Sequence, residues 1–258
     1  MAERQAIHPA ARAGFTAGAE IYERARPDYP AAALDLLERE LGLGRAGAVL
    51  EVAAGTGKLT RQLWPRAPRL VAVEPVAAMR RVLAASLPGL AAVAARAEAL
   101  PFRSGSAGAA VVGQAFHWFD GRAALSELHR ALRPGAGLAL LWNQRDESAD
   151  WVRRLTAIIE PVAGDAPRFR SGRWREAFAG QALFGPLREA TFDHAQSGSP
   201  EVVVERVASI SFVAALPAAR REALLGEVRR LLATHPDTAG REVIRLPYRT
   251  LVCWTRRR

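Results

Sequence analysis

The chain has 258 residues, 50% hydrophobic and 24% charged, enough for one sizeable core with an appended element and typical of a soluble globular protein. Its formal net charge of +10 rests on arginine: Lys58 is the only lysine, and the arginines are scattered apart from the terminal Arg256, Arg257 and Arg258, which argues against a nucleic-acid-binding stripe but leaves a surface that attracts acidic small molecules. Cys253 is the only cysteine, which excludes an internal disulfide framework and a cysteine-rich zinc site and fits a reducing cytoplasm.

The opening residues, MAERQAIHPAARAGF, hold no apolar run of the kind a secretory signal needs. The longest uncharged stretch, Ser104 to Phe119, is too short and too broken by glycine to span a bilayer. The run AAVLEVA, ending near Val52, reads as a first strand, followed by a glycine turn. GKLTRQLWPR then reads as a helix with Leu59, Leu63 and Trp64 on one face. RLVAVEP is a second strand closing on Glu74 and Pro75, and VAAMRRVLAASL is a helix stopped by Pro88-Gly89. LAAVAARAEAL contains a third strand, and GAAVVGQAF is a fourth whose unbroken apolar run suits burial on both faces. GRAALSELHRALRPGAG predicts an amphipathic helix running to Arg133-Pro134-Gly135, and GLALLWN is a fifth strand.

The pattern changes after Asn143. WVRRLTAIIEPV predicts a helix, and APRFRSGRWREAF an exposed loop rich in arginine and aromatics. REATFDHAQ predicts a strand, residues 201–234 are helical with a break at Pro217, and LPYRTLVCWTRR is a last strand rich in β-formers. The alternation predicts an α/β fold: a doubly wound, mostly parallel seven-stranded sheet with a helical C-terminal elaboration.

The turn in VLEVAAGTGKLT admits three nucleotide readings. A P-loop needs glycine five residues before Gly57 and Ser or Thr after Lys58; Val52 and Leu59 stand there instead. A dinucleotide fingerprint finds its first two glycines in Gly55 and Gly57, but its third falls on Thr60. Glu51, at the strand end, would also repel a pyrophosphate. S-adenosylmethionine reverses the charge logic, because its methionyl end carries an ammonium and its sulfur is cationic. Glu74, 19 residues after Gly55, then stands where an acid holds ribose hydroxyls, a contact that NAD would want as well.

LEVAAGTG, AVEPVAAM, AEALPF, GQAFHWF and LHRALRPGAGLALLWN together resemble, in order and spacing, the class I S-adenosylmethionine-dependent methyltransferases. The nearest likeness is to the small-molecule group called type 11, close to trans-aconitate methyltransferases, and it covers residues 22–143 well. The resemblance implies a Rossmann-like methyltransferase fold, and with the change of pattern after Asn143 the chain divides into four expected parts. Residues 1–40 form an N-terminal lid and first helix, 41–149 the cofactor-binding core, 150–241 a helical cap interrupting the sheet, and 242–258 the final strand and basic tail. It implies that Glu51, Ala53, Gly55 and Gly57 lie along the methionyl part of the cofactor, with Glu74 at the ribose and Pro75 and Met79 near adenine and ribose. Ala97 and Glu98 fall at the adenine edge, and Gln114, Ala115 and Phe116 beside the donor methyl. Tyr22 and Arg26 would reach the cofactor carboxylate, the alternative being a solvated linker. Two departures stand out: Ala53 where glycine is usual, and Arg96 where aspartate is common.

His117, just past the fourth strand, is the best-placed general base; the alternative is a structural histidine bonded to backbone. The aromatics around it are either a plug packing a helix on the sheet or a wall facing the sulfonium, and the two are compatible. Trp118, Trp142, Asn143 and Arg145 are expected to touch the acceptor. Arg170 and Trp174, with Arg168 and Arg173, either form an exposed basic loop or grip an anionic acceptor. His194 and His235 show no ligand spacing, so no metal is expected. These readings lead to methyl transfer onto a small-molecule carboxylate, hydroxyl or amine, leaving S-adenosylhomocysteine. RNA methylation and a non-catalytic cofactor-binding scaffold are the rivals.

Overall fold

The computed structural model describes residues 23–258. In chain order the regular elements are α1 (Ala31–Leu41), β1 (Ala48–Val52), α2 (Lys58–Leu63), β2 (Leu70–Val73), α3 (Ala77–Ser86), β3 (Ala91–Val93) and β4 (Ala107–Gly113). They continue with α4 (Gly121–Ala131), β5 (Leu132–Arg145), α5 (Asp150–Ile159), β6 (Arg188–Gly198), α6 (Pro200–Ala208), α7 (Ser211–Ala214), α8 (Ala218–Thr234) and β7 (Ile244–Arg256). The strands form one seven-stranded sheet in the order β3-β2-β1-β4-β5-β7-β6. The pairs β1/β2, β1/β4, β2/β3 and β4/β5 are parallel. Arg257 exchanges backbone hydrogen bonds with Gly135 and Ala136, while Pro247 accepts from Asp146, so β7 runs against β5. The expected doubly wound, mostly parallel sheet is the observed one.

Contacts divide the chain into two units. The sheet unit comprises Asp28–Gln144, Pro167–His194 and Arg249–Arg258. The helical unit comprises the described residues up to Pro27 together with Arg145–Ala166 and Ala195–Tyr248.

In the sheet unit, strand alternation sends side chains to two separate cores. Val49, Val111, Ala139 and Leu141 pack with Leu34, Leu37, Leu59 and Leu63 of α1 and α2. Leu50, Val112, Leu138 and Leu140 pack on the other face with Leu125 and Leu128 of α4. Each of these leucines is at most 3% exposed, which contributes roughly 1.5–3 kcal/mol apiece. The helix α4 is capped by Asp120, whose carboxylate accepts from the Ala123 amide at 3.1 Å. It ends at Ala131, two residues before the expected stop. Pro134 disfavours a helical conformation at Arg133, and Leu132 already pairs with Ala107 of β4, so the RPG stretch belongs to β5.

In the helical unit, α5 buries Trp151, Val152, Leu155 and Ile159 on one stripe, against Leu224, Leu225, Val228 and Leu232 of α8. The stretch expected to break at Pro217 has a second break at Ser209–Ile210, where Ile210 turns extended (ψ 127°). Among the described residues no helix is long and apolar enough to cross a membrane.

Candidate functional site

Parallel register brings the C-terminal ends of β1, β2, β4 and β5 side by side, with Val52 level with Val73, and Gly113 level with Leu141. Ligands of such sheets bind beyond these ends. Here the chain bends sharply twice. Ala53, just after β1, has φ 60°, and Gln114, just after β4, has φ 59°; both are non-glycine residues in the left-handed region. Strain of this kind clusters at functional sites. Ala53→Gly is therefore expected to stabilise the chain by about 0.5–1 kcal/mol in urea unfolding, relief of strain exceeding glycine's extra entropy.

The glycine turn is held by Glu74. Its Oε2 accepts from the Gly55 amide at 2.9 Å and its Oε1 from the Val76 amide at 2.8 Å. Arg80 donates to the carbonyls of Glu74 and Pro75. Burial raises the Glu74 pKa, and the two amides and Arg80 counter part of that. Gly55 lies at φ 60° with open space where a Cβ would stand, so a guest can come close to its backbone. Gly57, at φ 96°, starts α2.

Glu51 is 1% exposed, and among the described residues its Oε2 has no hydrogen-bond partner. Burial pushes its pKa up to about 8, and the negative charge of Glu74 adds to the rise. The Thr60 hydroxyl is close enough to temper this without completing a hydrogen bond. The hydroxyls of Thr56 and Thr60 are themselves buried without partners. Two buried acids, and two buried hydroxyls without partners among the described residues, thus border the turn, with Arg80 offsetting only part of the charge at Glu74. That set fits the ammonium end of S-adenosylmethionine and opposes a phosphate.

Beyond β4, a single 3-10 turn at Phe116–Trp118 carries the aromatics. Phe116 is fully buried against Phe119 and Phe178, at ring separations of 5.6 and 5.5 Å. Trp142 packs against Phe169 (4.8 Å) and Trp174 (4.5 Å), whose own rings are 5.7 Å apart, and its Nε1 donates to His117 Nδ1 at 3.2 Å. The Trp118 ring is 5.4 Å from that of His117.

A methyltransferase-domain family model matches residues 50–140. A protein of Mycobacterium tuberculosis named as an uncharacterized methyltransferase is 38% identical over 241 residues, spanning 92% of this chain and 93% of its own. The chain belongs to this methyltransferase family. A methyltransferase-like protein of Schizosaccharomyces pombe is 32% identical over 231 residues, covering 89% of this chain and 90% of that protein. Among solved structures, a type II methyltransferase of Anaeromyxobacter dehalogenans shares the fold with a TM-score of 0.66 at 24% identity, over 90% of this chain and 96% of its own.

The remaining residues of this methyltransferase picked out by sequence are placed as follows. Met79 is 2% exposed on α3, and Ala97 is buried. Glu98 accepts from Arg96 Nε at 3.2 Å and from the Asp120 amide at 3.1 Å. Arg96 thus stands where aspartate is common and ties down the neighbouring acid. Asn143 is engaged at both ends of its amide: its Nδ2 donates to Asp28 O (2.9 Å) and its Oδ1 accepts from Thr250 (2.6 Å), while its backbone carbonyl accepts from Gln114 Nε2 (3.3 Å). Pro75 and Ala115 are half-buried at their strand ends. Arg170 and Arg173 are exposed, as expected of a basic loop, but Trp174 is 5% exposed. Packing against the tilted Trp142 ring removes it from the surface, and Arg175 covers its ring at 4.5 Å.

Arg26 and Arg145 belong to the helical unit. Arg26 donates to Ser209 Oγ (3.2 Å) and Ser209 O (2.9 Å), and Arg145 Nε donates to Thr156 Oγ1 (3.3 Å). Tyr22 lies outside the described residues. Sequence reasoning passed over Thr56 and Thr60, although a threonine on the buried face of α2 beside Leu59 was a legible signal. It also passed over Tyr29, whose hydroxyl would stand 2.8 Å from a Cβ at Gly113, a contact no local pattern announces.

Proposed function

We propose that the chain transfers the methyl group of S-adenosylmethionine, by in-line displacement, to a small-molecule acceptor whose attacking oxygen is already deprotonated, a carboxylate before a hydroxyl or an amine. The observation that carries the cofactor is the buried, half-orphaned Glu51 carboxyl beside Glu74. Glu51 would meet the ammonium, Ala53, Gly55 and Gly57 would pass along the methionyl part, and Glu74 would take the ribose hydroxyls. Pro75, Met79, Ala97 and Glu98 would border the nucleoside, with Gln114 and Ala115 nearest the reacting end. Bound S-adenosylmethionine supplies an electrophilic methyl on a positively charged sulfur.

The acceptor class follows from His117. Its Nδ1 accepts from Trp142, so the neutral ring carries its proton on Nε2. In that tautomer the imidazole has no lone pair at Nε2 to take a proton from an acceptor. A carboxylate needs no base, and the aromatic residues Trp142, Trp174 and Trp118 supply walls that exclude water. His117→Ala is expected to lower turnover on a carboxylic acid by less than about 10-fold with the pH profile kept. A loss of about 10²–10⁴-fold together with the basic limb would make it the general base.

Calorimetric titration with S-adenosylmethionine and S-adenosylhomocysteine tests the cofactor. Turnover on a panel of carboxylic acids, alcohols and amines tests the acceptor. Binding without any turnover would favour a scaffold, and RNA binding that falls steeply with salt would favour RNA methylation.

A further inference from the structure

We propose that Asn143 is a positioning residue of the cofactor site, one that braces the Gln114 turn through the segment Asp28–Tyr29, with Thr250 anchoring its amide, and that does not touch the acceptor. The assignment rests on the methyl-transfer reading, under which Gln114 stands nearest the reacting end. Gln114 has φ 59°, a conformation strained for a glutamine, so its neighbours must hold it there. Its amide donates to Leu141 O at 2.8 Å and its Nε2 to Asn143 O at 3.3 Å. Two carbonyls of β5 thus grip the backbone and the side chain of one residue.

The Asn143 side chain serves a different stretch. Asn143 is 7% exposed, and its Nδ2 donates to Asp28 O at 2.9 Å. A carbonyl oxygen only accepts, so the nitrogen faces Asp28 and Oδ1 faces β7. There Thr250, fully buried, donates its hydroxyl to Oδ1 at 2.6 Å. An amide turned end for end would set oxygen against oxygen at Asp28. Both ends of the amide are therefore committed to the chain's own groups, in an order that Asp28 dictates and Thr250 completes.

Asp28 leads straight into Tyr29, which is clamped in turn. Gln62 Oε1 accepts from the Tyr29 amide and Gln62 Nε2 donates to the Tyr29 carbonyl, both at 2.9 Å. The Tyr29 hydroxyl lies 2.8 Å, and Leu59 Cδ2 2.9 Å, from where a Cβ would stand on Gly113, the residue before Gln114. The contacts close a ring: Gln114 to Asn143, Asn143 to Asp28, and Tyr29 back to Gly113. Loosening one member leaves a buried partner unsatisfied and lets the strained turn relax, and a small displacement at a reacting centre is costly in rate.

The brace is tested on the full chain, first without any need for turnover. Hydrogen exchange of the Gln114 amide reads the turn in the free protein. Thr250→Val keeps the size and removes the hydroxyl, and it is expected to speed that exchange by about 10-fold or more. The Val111 amide, deeper in β4, should be unchanged, and Thr250→Ser should restore the native Gln114 rate. On the carboxylic acid that the native chain turns over fastest, Thr250→Val is expected to lower kcat by about 10-fold with the acceptor KM within about 3-fold, and Thr250→Ser to recover it. Should Thr250→Val fail to fold, Tyr29→Phe, which removes only the hydroxyl against Gly113, is expected to move exchange and kcat the same way by about 3-fold or more. The proposal is overturned if Gln114 exchange or kcat is native in the folded variant, or if Thr250→Ser is no better than Thr250→Val. A rise in acceptor KM beyond about 3-fold also overturns it, as the mark of an Asn143 that holds the acceptor. A native chain that neither binds S-adenosylhomocysteine nor turns over any acceptor overturns the methyl-transfer reading instead, while the exchange still decides the brace.

Discussion

Glu51→Gln is expected to leave the chain folded and to weaken S-adenosylmethionine by about 100-fold or more in a calorimetric titration, the loss expected when one partner of a buried ion pair is removed. The substitution keeps shape and one acceptor oxygen but removes the charge that an ammonium would meet. The same variant has a second readout in the free protein. Burial and the charge of Glu74 push the Glu51 carboxyl up to about 8 in the fold, against 4.5 for an unperturbed glutamate. Its stabilising contribution is therefore complete below pH 4.5 and is lost as the pH rises through 8. Over that window the cofactor-free chain should lose up to about 4 kcal/mol in urea unfolding, and Glu51→Gln should flatten most of the slope. Glu74, whose pKa burial also raises, leaves a residual slope of the same sign. At neutral pH a cation binding at Glu51 must displace a proton, so the apparent binding enthalpy should vary with the ionisation enthalpy of the buffer. A pH-independent stability, or unchanged affinity, would remove the electrostatic basis of the site.

Glu74→Ala carries the other large effect. Its carboxylate joins the ends of β1 and β2 by holding the Gly55 and Val76 amides, and it stands where the ribose hydroxyls are expected. Losing these together is expected to cost S-adenosylhomocysteine at least about 100-fold in affinity, since hydrogen bonds to charged groups are worth about 1.5–3 kcal/mol each. Glu74→Gln separates the two roles. It keeps one oxygen for the Gly55 amide, so it should recover loop order, seen as protection of that amide from exchange, without recovering full affinity. Equal affinity in Glu74→Ala and the native chain would exclude Glu74 from the cofactor site.

The first half of the fold was readable because its signals are local. Leu59 and Leu63 mark the buried face of α2, and the glycines mark the turn before it. The start of β5 was not, because Leu132 and Gly135 become strand by pairing with Ala107 and Arg257, partners distant in the chain. The arginines around Trp174 suggest either an exposed loop or a grip on the acceptor, and neither announces its burial, which arises because Trp142, more than 30 residues earlier, offers it a face. The two acids that define the candidate site were visible from their places at the strand ends. The side of the His117 ring that holds its proton was not, since that depends on an indole from another strand. The second break in the late helices hinges likewise on Ser209, whose carbonyl and hydroxyl serve an arginine from before α1.

The helical unit is assembled from three separate stretches of chain: the residues leading to Pro27, Arg145–Ala166 and Ala195–Tyr248. No single cut releases it, and no single cassette carries it to another member of the family. A chimera meant to exchange this unit between relatives would have to import both internal insertions together. Grafting one alone would strip Trp151, Val152 and Leu155 of the α8 residues that bury them, producing an insoluble hybrid.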